Sequence, residues 1–341
     1  EIMPSLVGSE MCIRDRMSDE ALRSIDGIVM VAAGTSHYAT QIARYWVESL
    51  ARVPVACEVA SEFHYRQPAT APYNTAIAIS QSGESLDTLM AMRHAAACGL
   101  QTIGLVNVPS STIAREADAV LPTRAGLEIG VASTKAFTAQ LTILLCFTVA
   151  LARAKGRIDE ARAEAIHAEI QALPGLVGKA LGLFDAIRPV AHQLSQAKSA
   201  LYLGRGALYP LAMEGALKLK EVSYIHAEGF ASGEMKHGPI ALIEEGLPVV
   251  ALLAADAVMA KASSNLREAS ARGGKIILLS EARAAAEVDY ASAVITVPDD
   301  DPLLAPILLA IPTQILAYLT AVEKGTDVDQ PRNLAKSVTV E

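Results

Sequence analysis

The chain has 341 residues, enough for about two ordinary domains, and carries a formal net charge of -8. It is 52% hydrophobic but only 4% aromatic, which predicts a core of Ala, Leu, Ile and Val in helices packed on parallel strands. The negative charge and the lack of Lys/Arg clusters argue against a nucleic-acid partner. Scattered cysteines without a C-x-x-C pair predict reduced thiols in a cytoplasmic protein, at Cys12, Cys57, Cys98 and Cys146.

Residues 302–322 form the one uncharged run of the sequence that is long enough to span a bilayer. Three prolines, a glutamine and two threonines interrupt this run, so we predict a buried helix of a large α/β core and no membrane partner. No secretory signal pattern opens the sequence. Residues 1–16 show neither helical nor strand periodicity, and we interpret them as a tail outside the native fold.

From Asp26 onward, short apolar runs alternate with helical patterns. Such strands, apolar along their whole length, predict parallel sheets covered on both faces. The predicted strands are 27–34, 75–81, 102–108 and 117–123 in the first half and 200–206, 248–254, 275–280 and 292–298 in the second. The pattern therefore predicts an α/β fold in which one nucleotide-fold-like unit is duplicated.

The predicted organisation has five parts. They are an N-terminal extension (1–25), a first domain (26–155), a helical connector (156–196), a second domain (197–323) and an irregular C-terminal tail (324–341).

Two loops at predicted strand ends combine glycine with hydroxyl groups. They read "GTS" (34–36) and "SQSGES" (80–85). Ligands of parallel sheets bind outside the carboxyl ends of the strands, where helix N-termini offer free N–H groups to anions. We therefore predict a phosphate cradle; the alternative is an ordinary turn with Ser85 as the N-cap of the next helix. Neither loop matches a P-loop or a dinucleotide fingerprint, which disfavours nucleoside triphosphates and NAD.

The second half supplies charged candidates. Glu214, Lys218 and Glu221 are separated by four and three residues and share one face of a predicted helix. Such a row is usually solvated, but this helix is otherwise apolar, which favours burial and a proton-transfer role. His237, in a glycine-bounded loop, suits a proton shuttle, although a lone loop histidine is more often a surface residue. Lys336 in the tail would ordinarily be solvated.

Taken together, these motifs resemble the isomerase half of the glucosamine-6-phosphate synthase family, the isomerising glutamine:fructose-6-phosphate amidotransferases. The resemblance runs from about residue 26 to the end and also includes "GVASTKAFTAQL", "GEMKHGP" and "GTDVDQPRNLAKSVTVE". It implies two sugar-isomerase (SIS) domains, each a parallel sheet flanked by helices on both faces. It also implies a homodimer that binds fructose 6-phosphate at strand ends, without a cofactor or metal.

The resemblance assigns roles to individual residues. Phosphate-site positions are matched by Thr35, Ser80, Gln81, Ser82 and Ser85, and the rest of the sugar site by Ser36, Val131 and Ser133. Glu221 matches the base that moves a proton between C1 and C2, and Lys336 matches the lysine that forms a Schiff base. His237 matches the ring-opening histidine, which in this family reaches the neighbouring subunit's site. Supporting positions are matched by Lys218, Glu214 and Arg332.

The sequence departs from the family pattern in three respects. Ala33 stands where relatives often have cysteine, and Ser85 stands where threonine is common. The sequence as given also includes no glutaminase domain, which the resemblance implies for the full-length enzyme as the source of ammonia.

The resemblance implies conversion of fructose 6-phosphate to glucosamine 6-phosphate when glutamine supplies ammonia, and to glucose 6-phosphate without it. Two alternatives stay open: a deglycase acting on phosphorylated fructosamines, and a non-catalytic sugar-phosphate sensor. A sensor needs only the phosphate loops, so the retained acid, histidine and lysine favour an enzyme. The terminal motif favours the synthase over the deglycase.

Overall fold

The structure, a computed structural model, describes Ile13 and residues 16–337. Most of the tail predicted at residues 1–16, Cys12 and the last four residues lie outside this range. The chain divides into two compact units. The first comprises Glu1–Ile129, Ser133–Gln171 and Ala335–Glu341, and the second comprises Gly130–Ala132 and Ala172–Leu334.

The first unit is built on a sheet of five parallel strands. The strands are β1 (Ile28–Ala32), β2 (Val55–Val59), β3 (Thr75–Ser80), β4 (Gln101–Val106) and β5 (Ala119–Pro122). Their order in the sheet is β2-β1-β3-β4-β5, and every neighbouring pair is parallel. The central strands β1 and β3 are buried along their whole length because helices cover both faces of the sheet.

Short and long helices alternate with these strands. They are α1 (Asp19–Arg23), α2 (Gly34–Trp46), α3 (Ala60–Phe63), α4 (Leu86–Ala97), α5 (Thr112–Glu116), α6 (Lys135–Ala154) and α7 (Glu160–Leu181), and a π-helical segment (Val47–Ala51) extends α2. Ser18 caps α1, whose Leu22 is fully buried and which packs on α6. The unit boundary at residues 171 and 172 falls inside α7.

The second unit repeats the plan with another five parallel strands. They are β6 (Ser199–Gly204), β7 (His226–Ala231), β8 (Pro248–Leu253), β9 (Lys275–Glu281) and β10 (Ala293–Val297). Its helices are α8 (Phe184–Ser195), α9 (Leu208–Ser223), α10 (Met259–Ser270), α11 (Ala282–Ala285) and α12 (Ala305–Lys324), with 3-10 turns at Ser232–His237 and Pro239–Leu242. The sheet order β10-β9-β8-β6-β7 is the order of the first sheet read from the other edge, which confirms the predicted duplication.

Two of the described strands, β2 and β7, are absent from the sequence prediction. Each lies at the edge of its sheet and is mostly only partly buried. An edge strand pairs on one side only, so its sequence does not need the continuous apolar run that marks a central strand. The segments "VACEV" and "HAEGFA" accordingly lack that signal.

Among the described helices, α6 and α12 are long and apolar enough to cross a membrane by length and composition, and the bent pair α7 and α8 passes the same test as one broken span. In both α6 and α12, however, 83% of the apolar window is buried inside the fold. α12 packs against α8 and α9, which agrees with the buried helix predicted for residues 302–322.

Candidate active site

The two loops selected from the sequence lie at the same end of neighbouring strands. β1 pairs with β3 so that Ala32 lies opposite Ile79. In the order β2-β1-β3-β4-β5, the direction of strand succession reverses between β1 and β3, and the loops that follow these strands diverge there. The loop after β1 enters α2 at Gly34, and the loop after β3 enters α4 at Leu86. The first unit therefore presents both loops at its topological switch point.

Hydrogen bonds within the loop after β3 hold its backbone in a tight turn. The buried Ser80 hydroxyl accepts a hydrogen bond from the Gly83 amide at 3.0 Å, and the Ser82 hydroxyl accepts one from the Glu84 amide at 3.1 Å. Gly83 has a φ of +68°, and a Cβ atom there would lie 2.0 Å from Ser111 Oγ. Only glycine fits this position without a shift of its neighbours.

Ser85 occupies the N-cap position of α4 but does not use its side chain as a cap. Its hydroxyl instead accepts a hydrogen bond from Thr88 Oγ1 at 3.4 Å. The helix therefore does not rely on Ser85 for an ordinary side-chain cap, which was the alternative interpretation of this loop. The positive end of the α4 dipole points toward the loop.

The first turn of α2, which follows β1 almost directly, is tied to the long apolar helix α6. Thr35 and Ser36 are partly buried, and the Ser36 hydroxyl accepts a hydrogen bond from Gln140 Nε2 at 2.9 Å. Gln140 is 1% exposed, and the sequence reasoning did not single it out. A polar side chain in the middle of an apolar helix was the signal that could have identified it.

Glu128 is a second residue that the sequence reasoning missed. It is a buried carboxylate that accepts hydrogen bonds from the amides of Thr134 and Ala136 and from the Ser133 hydroxyl. It also forms an ion pair of 2.6 Å with Lys336. Burial alone raises the pKa of Glu128, but the bonds from Lys336 and the two amides outweigh it, so the pKa lies below its ordinary value.

The tail brings Lys336 and Ser337 to residues of the first unit. Lys336 Nζ contacts Glu128, which also binds the predicted sugar-site residue Ser133. The Ser337 hydroxyl shares a hydrogen bond of 3.2 Å with the hydroxyl of Ser82. The sequence alone predicts that Lys336 is solvated. In the structure, its neighbour in the chain, Ser337, contacts the predicted phosphate loop.

The acid–base–acid row of α9 lies in the second unit. Lys218 Nζ is 2.5 Å from Glu221 Oε2 and 3.5 Å from Glu214 Oε1. Lys218 and Glu214 are almost completely buried, and 21% of the Glu221 side chain is exposed. Burial alone lowers the pKa of Lys218, but the charges of the two glutamates outweigh it, so the pKa is raised and the ammonium form is favoured.

The tail also packs against the end of α9. Thr326 Oγ1 donates a hydrogen bond to the Val222 carbonyl at 2.6 Å. The guanidinium of Arg332 lies 4.2 Å from the ring centre of Tyr224, and the Arg332 amide donates to the Tyr224 hydroxyl at 2.8 Å. The Val131 amide donates to the Asp329 carbonyl at 2.9 Å, so these two predicted site residues, Arg332 and Val131, both contact partners within the second unit.

His237 lies elsewhere in the second unit. It ends the 3-10 turn Ser232–His237 that follows β7, and its side chain is exposed. The first unit thus holds the hydroxyl loops and Lys336, while the second holds the buried acid–base row and His237.

The comparisons with known proteins agree with this architecture. Residues 21–150 and 193–324 match the family model described as "SIS domain". The chain therefore belongs to the SIS-domain family and contains two copies of that domain, as the resemblance implies.

Individual relatives indicate which branch of the SIS-domain family the chain resembles. The chain is 53% identical over 324 residues to the isomerizing glutamine–fructose-6-phosphate aminotransferase of Zymomonas mobilis, and the match covers 95% of this chain and 53% of the relative. The corresponding protein of Brucella abortus is 51% identical over 319 residues, covering 93% and 52%. The solved C-terminal domain of the Francisella tularensis aminotransferase superposes with a TM-score of 0.90 at 38% identity, covering 95% and 96%.

These matches confirm the predicted relationship to the isomerase part of these aminotransferases. The chain spans about half the length of the curated relatives it matches.

Proposed function

We propose that this chain is the sugar-isomerising part of an aminotransferase that acts on fructose 6-phosphate. The phosphate binds the hydroxyls, amides and helix N-terminus of the loops after β1 and β3. Glucosamine 6-phosphate is the product when ammonia is supplied from glutamine, and glucose 6-phosphate is formed without it.

The contact of the tail with the phosphate loop is the observation that carries this proposal. Ser337 shares a hydrogen bond with Ser82, so the neighbouring Lys336 lies beside the loop predicted to bind phosphate. A lysine amine near a bound ketose phosphate suits Schiff-base formation, because the imine activates the sugar carbon next to it.

The first steps open the sugar and attach it to the chain. His237 transfers a proton from the C2 hydroxyl to the ring oxygen, which yields the open-chain ketone. The neutral amine of Lys336 then attacks C2, the carbonyl oxygen takes up protons and leaves as water, and a protonated imine remains. This imine acidifies the hydrogens at C1.

Glu221 is the member of the acid–base–acid row of α9 that a ligand can reach. Its side chain is 21% exposed, whereas Lys218 is 3% and Glu214 is 1% exposed. Glu221 therefore takes a proton from C1, the released electron pair forms the C1–C2 double bond, and the electrons of the C2 imine bond move to nitrogen. The same carboxyl then returns the proton to C2, while the C1 hydroxyl gives up its proton and becomes the aldehyde. Lys218 and Glu214 support Glu221 by fixing its carboxylate and balancing its charge.

The remaining parts of the proposal concern the whole enzyme. Ammonia from a glutaminase domain displaces Lys336 from the C2 imine before Glu221 takes the C1 proton, so the nitrogen of the new imine becomes the amino group of the product. The functional form is a cytoplasmic homodimer in which His237 serves the neighbouring subunit's site. No cofactor or metal takes part in these steps.

Borohydride trapping tests the Schiff base directly. The chain is incubated with fructose 6-phosphate and sodium borohydride, and peptide mass spectrometry is used to find the reduced sugar adduct. We expect the adduct on Lys336, none in Lys336→Arg, and protection by sorbitol 6-phosphate, which has the phosphate but no carbonyl. An adduct on other lysines, or no adduct at all, would overturn the proposal.

A further inference from the structure

Glu128 uses its two carboxylate oxygens for different purposes. Oε1 accepts hydrogen bonds from the backbone amides of Thr134 at 2.9 Å and Ala136 at 3.2 Å, at the start of α6. Oε2 accepts from the Ser133 hydroxyl at 3.0 Å and from Lys336 Nζ at 2.6 Å. One oxygen thus fastens the side chain to a helix N-terminus, and the other faces the tail lysine.

The burial pattern around Glu128 runs against the hydrophobic effect. Glu128 is 8% exposed, but its aliphatic neighbours Leu127 and Ile129 are 81% and 77% exposed. Reversing that order would bury two aliphatic side chains, each worth about 1.5 to 3 kcal/mol, and return a carboxylate to water. The loop therefore adopts a conformation that buries the Glu128 carboxylate. The hydrogen bonds and the ion pair of this carboxylate offset the free energy lost by leaving the two aliphatic side chains exposed.

We propose that Glu128 is the positioning residue for Lys336, holding its amine beside Ser133 before sugar binds and facing the imine nitrogen after the Schiff base has formed. This role rests on the proposed function. It extends the set of residues that the family motifs assign, because Glu128 has no place in that set.

Charge balance explains why an ionised carboxylate suits this position. The ammonium of Lys336 and the protonated imine each carry one positive charge, and the neutral amine that attacks C2 exists only between these two states, after the ammonium has given up a proton. The pKa of Glu128 lies below its ordinary value, so the group stays ionised at neutral pH and acts as a counter-charge rather than as the proton acceptor. The same carboxylate oxygen faces the nitrogen in both charged states.

Glu128→Gln separates this role from the support of α6. Glutamine keeps a carbonyl oxygen that accepts from the two amides, but it removes the negative charge opposite Lys336. Glu128→Asp keeps the charge and shortens the side chain by one methylene. Glu116→Gln is the matched control, because it removes an exposed ion pair with Arg93 in the same unit.

The first measurement needs no sugar. Each protein is treated briefly with acetic anhydride, and the acetylation rate of Lys336 is followed by peptide mass spectrometry. We expect a rise of about fivefold in Glu128→Gln, because the amine is released from the carboxylate that it contacts, and no change in Glu116→Gln. Equal rates in the wild type and Glu128→Gln would overturn the proposal.

The second measurement is borohydride trapping with fructose 6-phosphate. We expect the adduct on Lys336 to fall about tenfold in Glu128→Gln and to recover in part in Glu128→Asp. Undiminished trapping in Glu128→Gln would also overturn the role. If no protein traps sugar but the acetylation rates differ as expected, the proposed function fails while the contact of Glu128 with Lys336 stands. Circular dichroism checks folding, and Glu128→Asp keeps the test decisive if Glu128→Gln does not fold.

Discussion

The two units repeat one strand order but place different chemistry on it. In the first unit, glycine and hydroxyl residues follow β1 and β3 at the switch point. In the second unit, the corresponding loops after β6 and β8 begin with Arg205 and Ala254, and neither these loops nor the first turn of the helix that follows each of them contains serine or threonine. A common fold therefore does not imply a common site, because the site depends on the loops.

In the second unit, polar side chains occupy the corresponding switch point, between β6 and β8. Arg205 Nη1 donates a hydrogen bond to Asn265 Oδ1 at 2.9 Å, and Asn265 is nearly buried. The fully buried Glu281 accepts from the Ala255 amide at 2.7 Å, and its burial raises its pKa. In the second unit, polar groups at the switch point are thus engaged in hydrogen bonds within the unit. In the first unit, a hydroxyl-lined loop lies at the switch point.

The helix that follows the first strand also differs between the two units, but here the second unit carries the charged side chains. In the first unit, α2 buries only Ala, Thr, Ile and Trp side chains. In the second unit, α9 occupies the equivalent place and buries Glu214 and Lys218 among apolar neighbours. The two units therefore differ in what this helix buries: apolar side chains and one threonine in α2, and a carboxylate with its lysine in α9.

Lys218→Met is the change that should disrupt the second unit most. It leaves Glu214 and Glu221 without the cation between them, so we expect the free energy of unfolding to fall by about 3 to 5 kcal/mol. Denaturant unfolding measures the loss. Lys220→Met is the matched control, since Lys220 is exposed on the same helix and its replacement should change stability by less than about 0.5 kcal/mol.

The pH dependence of this loss follows from the raised pKa of Lys218. Because the pKa is higher in the folded state, the stabilisation is fully present below the unfolded value of about 10.4 and is lost only as pH rises through the folded pKa. The difference between wild type and Lys218→Met should therefore be constant from about pH 6 to pH 9. Equal stability of the two Lys→Met variants would contradict the importance of the buried charges.

Gly83→Ala tests the first unit with a smaller expected effect. We expect a loss of about 2 to 4 kcal/mol, since alanine adds left-handed backbone strain and its Cβ would lie 2.0 Å from Ser111 Oγ. Gly99→Ala is the control, because Gly99 also has positive φ but nothing lies within 4 Å of its added Cβ, so only the strain of about 1 kcal/mol remains. Thermal unfolding of both variants measures the difference, and equal losses would show that the Ser111 contact is unimportant.

Features that depend on local spacing are the ones that the sequence predicts. The row in α9 follows from helical periodicity alone, and eight of the ten described strands follow from apolar runs. Glu128 could not be found in this way, because it sits in an irregular loop and its partner Lys336 is 208 residues further along the chain. The edge strands β2 and β7 were missed for a related reason: their pairing stabilises them without a strong apolar signal.

Ser82→Ala is the mildest change, and it makes the loop after β3 more like its alanine-containing counterpart in the second unit. The Ser82 hydroxyl contacts Ser337 and the Glu84 amide, and in the proposed function it also binds phosphate, away from C1 and C2. Loss of one hydrogen bond to a charged group should raise KM for fructose 6-phosphate about tenfold, while kcat stays within about twofold, because the contact is the same in the ground and transition states. Inhibition by inorganic phosphate should weaken in parallel, and Ser110→Ala, at an exposed serine of the same unit, should leave both constants unchanged. A fall in kcat at constant KM would instead place Ser82 at the reacting carbons and remove the functional difference between the loops and α9.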